Sequence, residues 1–146
     1  MNLSDLLQTL ADPLRLRIVN LLAASPLCVQ HLQTALDRDQ VSVSKQLLIL
    51  KARGLVASEK MRTWRLYRLS PNPSKAVRRL LACLQAVVSE EELYREDLAR
   101  LAGLPPDVRT FLKPRRERRS NKKEPFPALA APAPQEQSTP MEDHLL

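Results

Sequence analysis

Leu3, Leu6, Leu7 and Leu10 recur at i, i+3, i+4 and i+7, the spacing of one face of a helix. Asp12-Pro13 then marks a new start: Asp12 can accept free backbone N–H groups, and Pro13 suits a first helical position. Leu14, Ile18, Leu21 and Leu22 continue as the buried face of a second helix that ends at Ser25-Pro26. Val29, Leu32, Ala35 and Leu36 predict a short third helix, and Asp37-Arg38-Asp39-Gln40 a polar turn. Val41 to Arg53 places Val43, Leu47 and Leu50 on one face, and Gly54 stands where a helix C-terminal glycine is expected. A short helix, a four-residue turn and a longer helix in succession give helix-turn-helix spacing. Leu48 and Ile49 point away from the face of Val43, Leu47 and Leu50, towards the wing or a neighbouring helix.

After Gly54 the period changes from helical to alternating. Leu55 to Glu59 and Trp64 to Leu69 read as two strands, with Trp64, Leu66 and Arg68 on one side and Arg65, Tyr67 and Leu69 on the other. Lys60-Met61-Arg62-Thr63 forms the predicted hairpin tip. A basic β-hairpin directly behind a helix-turn-helix is a wing. Ser74 to about Ser89 predicts a long helix with Val77, Leu80, Leu81, Leu84, Val87 and Val88 as its stripe, and Glu90 to Leu104 continues it or forms another short helix. Pro105-Pro106 interrupts helix there. The predicted fold is mainly α: a winged helix-turn-helix domain over residues 1–104, with a two-stranded β-hairpin wing. A tail over 105–146, basic and then Pro/Ala-rich, is expected to be disordered, because it cannot bury enough apolar surface to offset its ordering entropy.

Charge sharpens this picture. The chain carries a formal net charge of +7. Between Arg38 and Arg79 eleven Lys/Arg face only Asp39 and Glu59, a surplus of nine. Such concentration points to a polyanionic partner, although a solvated basic surface has the same composition. Lys113 to Lys123 holds seven Lys/Arg in eleven residues, a candidate basic arm. No apolar run approaches the ~18–20 residues of a membrane span, and Met-Asn-Leu-Ser-Asp lacks the basic and apolar regions of a secretory signal. A soluble, cytoplasmic protein is expected. Cys28 and Cys83 fit a reduced compartment. Only two glycines, far apart, and two histidines, one of them His144 in the tail, leave little for phosphate cradling or acid–base work, so no enzyme is expected. The carboxylates Glu90, Glu91, Glu92, Glu96 and Asp97 read as a solvated helix face.

Candidate chemistry gathers at the second helix of the motif. Ser42, Ser44, Lys45 and Gln46 lie on its N-terminal half, and Gln40 at its mouth. Short hydroxyls and a helix N-terminus suit phosphate oxygens. Gln can reach towards adenine and Lys towards guanine in a major groove. Lys60 and Arg62 at the wing tip would meet phosphate or an adjacent minor groove, whereas Arg65 and Arg68 contact DNA or only face solvent. The expected partner is double-stranded DNA. A winged helix that turns its basic face to an acidic protein is the alternative. The apolar stripes of the first helix and of Leu80, Leu81, Leu84 and Val88 exceed what one small domain easily buries, which predicts a homodimer.

The stretch from Leu7 to Leu69 resembles the ArsR–SmtB family of winged-helix repressors. The resemblance is carried by Leu10 to Ile18, Leu27-Cys28-Val29, Ser42 to Leu47, Gly54-Leu55-Val56 and Trp64 to Leu69. It implies a homodimer built from the first and last helices, bound to an operator of twofold symmetry and released by an inducer. The inducer is often a metal or metalloid ion. Here Leu27-Cys28-Val29-Gln30-His31-Leu32 keeps the first thiolate position of the arsenic- and cadmium-type sensors, but Gln30 replaces the second. A soft metalloid wants two or three thiolates. The segment Ser74 to Ser89 has no His, Asp or Glu for a zinc-type site, so neither a metal nor another cofactor is expected and the inducer stays unidentified. The family's wing turn usually has a glycine near Arg62, and this chain has none there.

Overall fold

A computed structural model describes residues 1–104; the predicted tail, 105–146, lies outside them. Six helices and one hairpin follow in order: α1 (Leu3–Leu10), α2 (Pro13–Ala24), α3 (Val29–Leu36), α4 (Gln40–Ala52), β1 (Val56–Met61), β2 (Trp64–Leu69), α5 (Lys75–Val88) and α6 (Glu92–Ala102). Four helices start on a side chain that accepts an otherwise unpaired N–H. Asn2 accepts from Asp5 at 2.8 Å, Asp12 from Arg15 at 3.0 Å, Asp39 from Ser42 at 2.9 Å and Ser74 from Val77 at 3.2 Å.

The turn between α3 and α4 is one residue shorter than the sequence predicts. Asp39, not Gln40, is the cap, so Gln40 is already helical. Asp37 takes a left-handed φ of 51°, which Asp tolerates better than most residues. The Arg38 N–H then donates to the Gln33 carbonyl at 3.2 Å and closes α3. Gly54, at φ 74°, ends α4 in the same way: the Leu55 N–H reaches back to the Leu50 carbonyl at 3.0 Å.

Ile18 and Leu21 of α2, Leu32 and Leu36 of α3, and Val43, Leu47 and Leu50 of α4 are fully buried together, and they hold the motif as one body. Leu6 and Leu10 join them from α1, and Leu81 from α5. In the hairpin Val56 pairs with Leu69 and Met61 with Trp64. The first strand thus begins one residue later than predicted and runs two residues further, and the tip shrinks to Arg62-Thr63. Leu27 pairs with Tyr67 on the other edge of β2 through N–H···O bonds of 2.9 and 2.8 Å. The loop before α3 therefore tethers the wing to the motif.

One open alternative is decided and one expectation changes. Residues beyond Ser89 form a separate helix, α6, which packs on α3 and α2. The acidic face of α6 is not wholly solvated: Asp97 is 0% exposed. Its carboxylate accepts two bonds from Arg17, at 2.8 and 2.7 Å, and one from Arg100 at 2.7 Å. The same guanidinium groups donate to the carbonyls of Leu36 (3.1 Å) and Ala35 (2.7 Å). Glu96, by contrast, is exposed and 3.9 Å from Arg100.

Removing one partner of a buried pair strands the other charge, at a cost of ~3–5 kcal/mol. Domains of this kind are stable by only ~5–15 kcal/mol. Asp97→Ala is therefore expected to move the urea midpoint far down, and Glu96→Ala by less than ~1 kcal/mol equivalent. The apolar replacement Arg17→Met with Asp97→Leu should recover much of the loss. A small effect of Asp97→Ala would show that the pair contributes little.

Candidate nucleic-acid interface

The faces of α4 are sorted by its burial pattern. Val43, Leu47 and Leu50 turn inward. Val41, Lys45 and Leu48, at i, i+4 and i+7, lie on the opposite side and are exposed. Leu48 thus packs on neither the wing nor a helix, and Ile49 is half-buried.

The predicted site residues divide into two groups. Gln40 stands exposed in the first turn of α4, and Lys45 one turn further on. Ser44 is half-buried beside Lys45. Ser42 and Gln46 are already committed within the protein. The Ser42 hydroxyl donates to Asp39 Oδ1 at 2.6 Å while its N–H donates to Oδ2. These bonds hold the Asp39 carboxyl below its ordinary range, so a negative charge occupies the mouth of α4. That mouth is not an open phosphate cradle. The Gln46 oxygen accepts from Arg15 Nη1 at 3.1 Å, and the Arg15 Nε–H donates to the Thr9 carbonyl at 2.6 Å. Arg has no acceptor, so the amide orientation is forced and the Gln46 nitrogen is left as a donor. Bidentate reading of adenine needs the amide oxygen as well.

Lys60 and Arg62 are exposed at the end of the wing, as expected. The hairpin register adds residues that the sequence pointed to only weakly or not at all. Lys60 lies directly opposite Arg65, and Ser58 opposite Tyr67. Opposed residues share a face, so one side of the hairpin runs from the core residues Val56, Leu69 and Tyr67 out to Ser58, Lys60 and Arg65. Lys51 of α4 and Arg65 both donate to the Ser58 hydroxyl, at 2.8 and 3.2 Å. This brings α4 and the wing together through two cations on one oxygen. Arg68 is on the other face and reaches Glu59 at 3.9 Å. Among the described residues none of Lys45, Lys51, Lys60, Arg62 or Arg65 forms a salt bridge. Lys51 could have been found from its place in the last turn of α4 before Gly54, but its convergence with Arg65 depends on the register.

Cys28 and His31 meet at the start of α3. The Cys28 N–H donates to His31 Nδ1 at 3.3 Å, and Sγ lies 3.1 Å from the same nitrogen. Both residues are buried, and burial pushes the thiol pKa up. Among the described residues no three of His, Cys, Asp and Glu gather as a metal site.

The model of the bacterial regulatory protein arsR family matches residues 12–58. The arsenical resistance operon repressor of Escherichia coli is 46% identical over 69 residues, which are 47% of this chain and 59% of that protein. The arsenic resistance transcriptional regulator ArsR2 of Pseudomonas putida is 34% identical over 84 residues, 56% of this chain and 73% of that one. The chain belongs to the ArsR family. It spans little more than half the length of the Escherichia coli relative. Among solved structures, a winged helix-turn-helix fragment from Mycobacterium bovis, described as a possible ArsR-family transcriptional regulator, is 33% identical. That match covers 58% of this chain and 76% of the fragment, with a TM-score of 0.48.

The wing of this ArsR-family chain turns on Arg62 at φ 56°, a left-handed conformation that favours glycine. A non-glycine residue there costs ~1–2 kcal/mol, and β-branching makes it worse. Thermal unfolding should therefore rank the variants: Arg62→Gly at or above wild type, Arg62→Val below it by about 1 kcal/mol. The opposite order would place the turn in another conformation.

Proposed function

We propose that this protein is a sequence-specific DNA-binding transcriptional regulator, a repressor that binds a palindromic operator as a homodimer in the cytoplasm. The observation that carries the reading is the exposed face of α4, with Lys45 at its centre, beside a wing whose Lys60, Arg62 and Arg65 lack carboxylate partners among the described residues. Gln40, Ser44 and Lys45 are assigned to the groove, with Gln46 as a donor and Ser42 at the flank. Lys60 and Arg62 are assigned to the backbone beyond. Family membership supports a regulatory rather than an enzymatic role. Among the described residues no helix is long and apolar enough to cross a membrane. The work is equilibrium binding, so affinity should fall steeply with salt as Lys and Arg release counterions.

Electrophoretic shift of the full chain with promoter DNA of its own gene tests this. Wild type should select that DNA over a scrambled duplex. Lys45→Ala with Ser44→Ala should lose at least about tenfold in specific affinity, since one good base contact is worth ~1–3 kcal/mol, with an unchanged circular dichroism spectrum. Unchanged affinity would remove α4 from the reading role. Absence of DNA binding, with capture of an acidic protein partner, would favour an interaction module.

Support for a dimer lies in the apolar residues left outside. Leu6 and Leu10 belong to the core, but Leu3 and Leu7 are exposed on α1. In α5 only Leu81 and Val88 are buried among fourteen residues, Leu80 and Leu84 are half-buried on the core, and Val87 is exposed. A twofold interface uses one such patch twice. Sedimentation at micromolar concentration should give a dimer, and Leu7→Asp with Val87→Asp should give a folded monomer. Those two positions are better probes than Leu84, whose loss would also disturb the core. A monomeric wild type would refute the assembly.

A further inference from the structure

We propose that Val41 and Leu48 of α4 read thymine 5-methyl groups in the major groove, one on each side of Lys45; this rests on the DNA-binding reading above. Both side chains are largely in solvent, 77% and 68% exposed. They lie seven residues apart on the face opposite Val43, Leu47 and Leu50, so they serve no core. Local helix stability does not ask for Val41 either, and at position 48 a straight-chain polar residue would serve as well as leucine. Valine is a poorer helix former than the straight-chain polar residues, and exposed apolar surface brings no burial.

Charge selects the occupant. Between the two apolar side chains stands Lys45, and alongside lie Lys51, Lys60, Arg62 and Arg65, none in a salt bridge among the described residues. A polyanion is the complementary partner. Duplex DNA is the polyanion that also displays apolar groups in a groove wide enough for a helix: the C5-methyls of thymine. RNA offers neither, because its major groove is too narrow for side chains to read and uracil lacks the methyl. Seven residues of helix rise ~10.5 Å, about three base-pair steps at 3.4 Å. The two methyls therefore belong to different base pairs, with Lys45 over those between them. Gln46, whose oxygen is held by Arg15, adds a donor at the flank rather than a bidentate adenine contact.

The test isolates one methyl at a time. A preferred duplex is selected from a random library by the full chain, and each thymine is replaced in turn by deoxyuridine, which removes the methyl alone. Affinities are measured by fluorescence anisotropy. Wild type should lose roughly fourfold at each contacted thymine, the value of one buried methyl group. Val41→Ala and Leu48→Ala should each lose a similar factor on the thymine duplex. Each should also become indifferent to deoxyuridine at its own position while staying sensitive at the other. Both residues are exposed and alanine is the better helix former, so the fold is expected to hold; circular dichroism checks it. A preferred site without methyl sensitivity, or variants as sensitive as wild type, overturns the inference and leaves the DNA-binding reading standing. A selection that returns no preferred sequence overturns both.

Discussion

Asp97 holds the motif in place. Its buried carboxylate lies between Arg17 of α2 and Arg100 of α6, and each guanidinium also takes one of the last carbonyls of α3. Those carbonyls have no partner inside their own helix, and cations at a helix C-terminus suit its dipole. The end of α3 is thus capped from two other helices. From that fixed end the chain makes its left-handed step at Asp37, meets the Asp39 cap and enters α4. The clamp thus fixes the end of α3 from which the chain turns, while Val43, Leu47 and Leu50 seat α4 itself on the core. A buried ion pair is an expensive way to gain stability, because desolvation offsets most of the attraction. What this one supplies is position: the bidentate fork of Arg17 fixes both distance and angle.

Periodicity and capping residues made the first five helices and the wing legible in the sequence, because those signals are local. Asn2, Asp12 and Ser74 all start helices within a residue or two of where the hydrophobic pattern begins. The clamp was not legible. Glu96 and Asp97 are adjacent carboxylates on one helix, and nothing local separates the solvated one from the buried one. The partner that decides, Arg17, is eighty residues away. The leucine stripe of α1 was equally ambiguous: spacing identified a face but not its width, and the face splits into Leu6 and Leu10 inside, Leu3 and Leu7 outside.

At the candidate interface the same limit separates residue type from availability. Ser42 and Gln46 have the right chemistry for DNA, yet Asp39 and Arg15 already use part of it. In the proposed reading they would contribute orientation, a hydroxyl and an amide pinned before any ligand arrives, which would lower the entropic cost of binding. The wing is in the opposite condition. Lys60 faces Arg65 across the hairpin, and Lys51 shares Ser58 with Arg65. Like charges opposed on a sheet repel, so the free protein carries an unfavourable interaction that a phosphate would relieve. In the proposed reading, part of the attraction for phosphate would be repulsion removed.

The Cys28–His31 pair shows how a capping role and a ligand role compete for one atom. Nδ1 of His31 accepts the Cys28 N–H and also lies beside Sγ. Accepting that bond requires Nδ1 to be unprotonated, which fixes the tautomer with the proton on Nε2 in the neutral ring. An ion held between Sγ and Nδ1 would take the same lone pair and release the N–H of the N-cap residue Cys28, inside a buried helix start. It would also require the thiolate, which burial disfavours here. The structure therefore sets the two donors against each other: every gain in ligation at this corner is a loss of the cap that begins the helix-turn-helix.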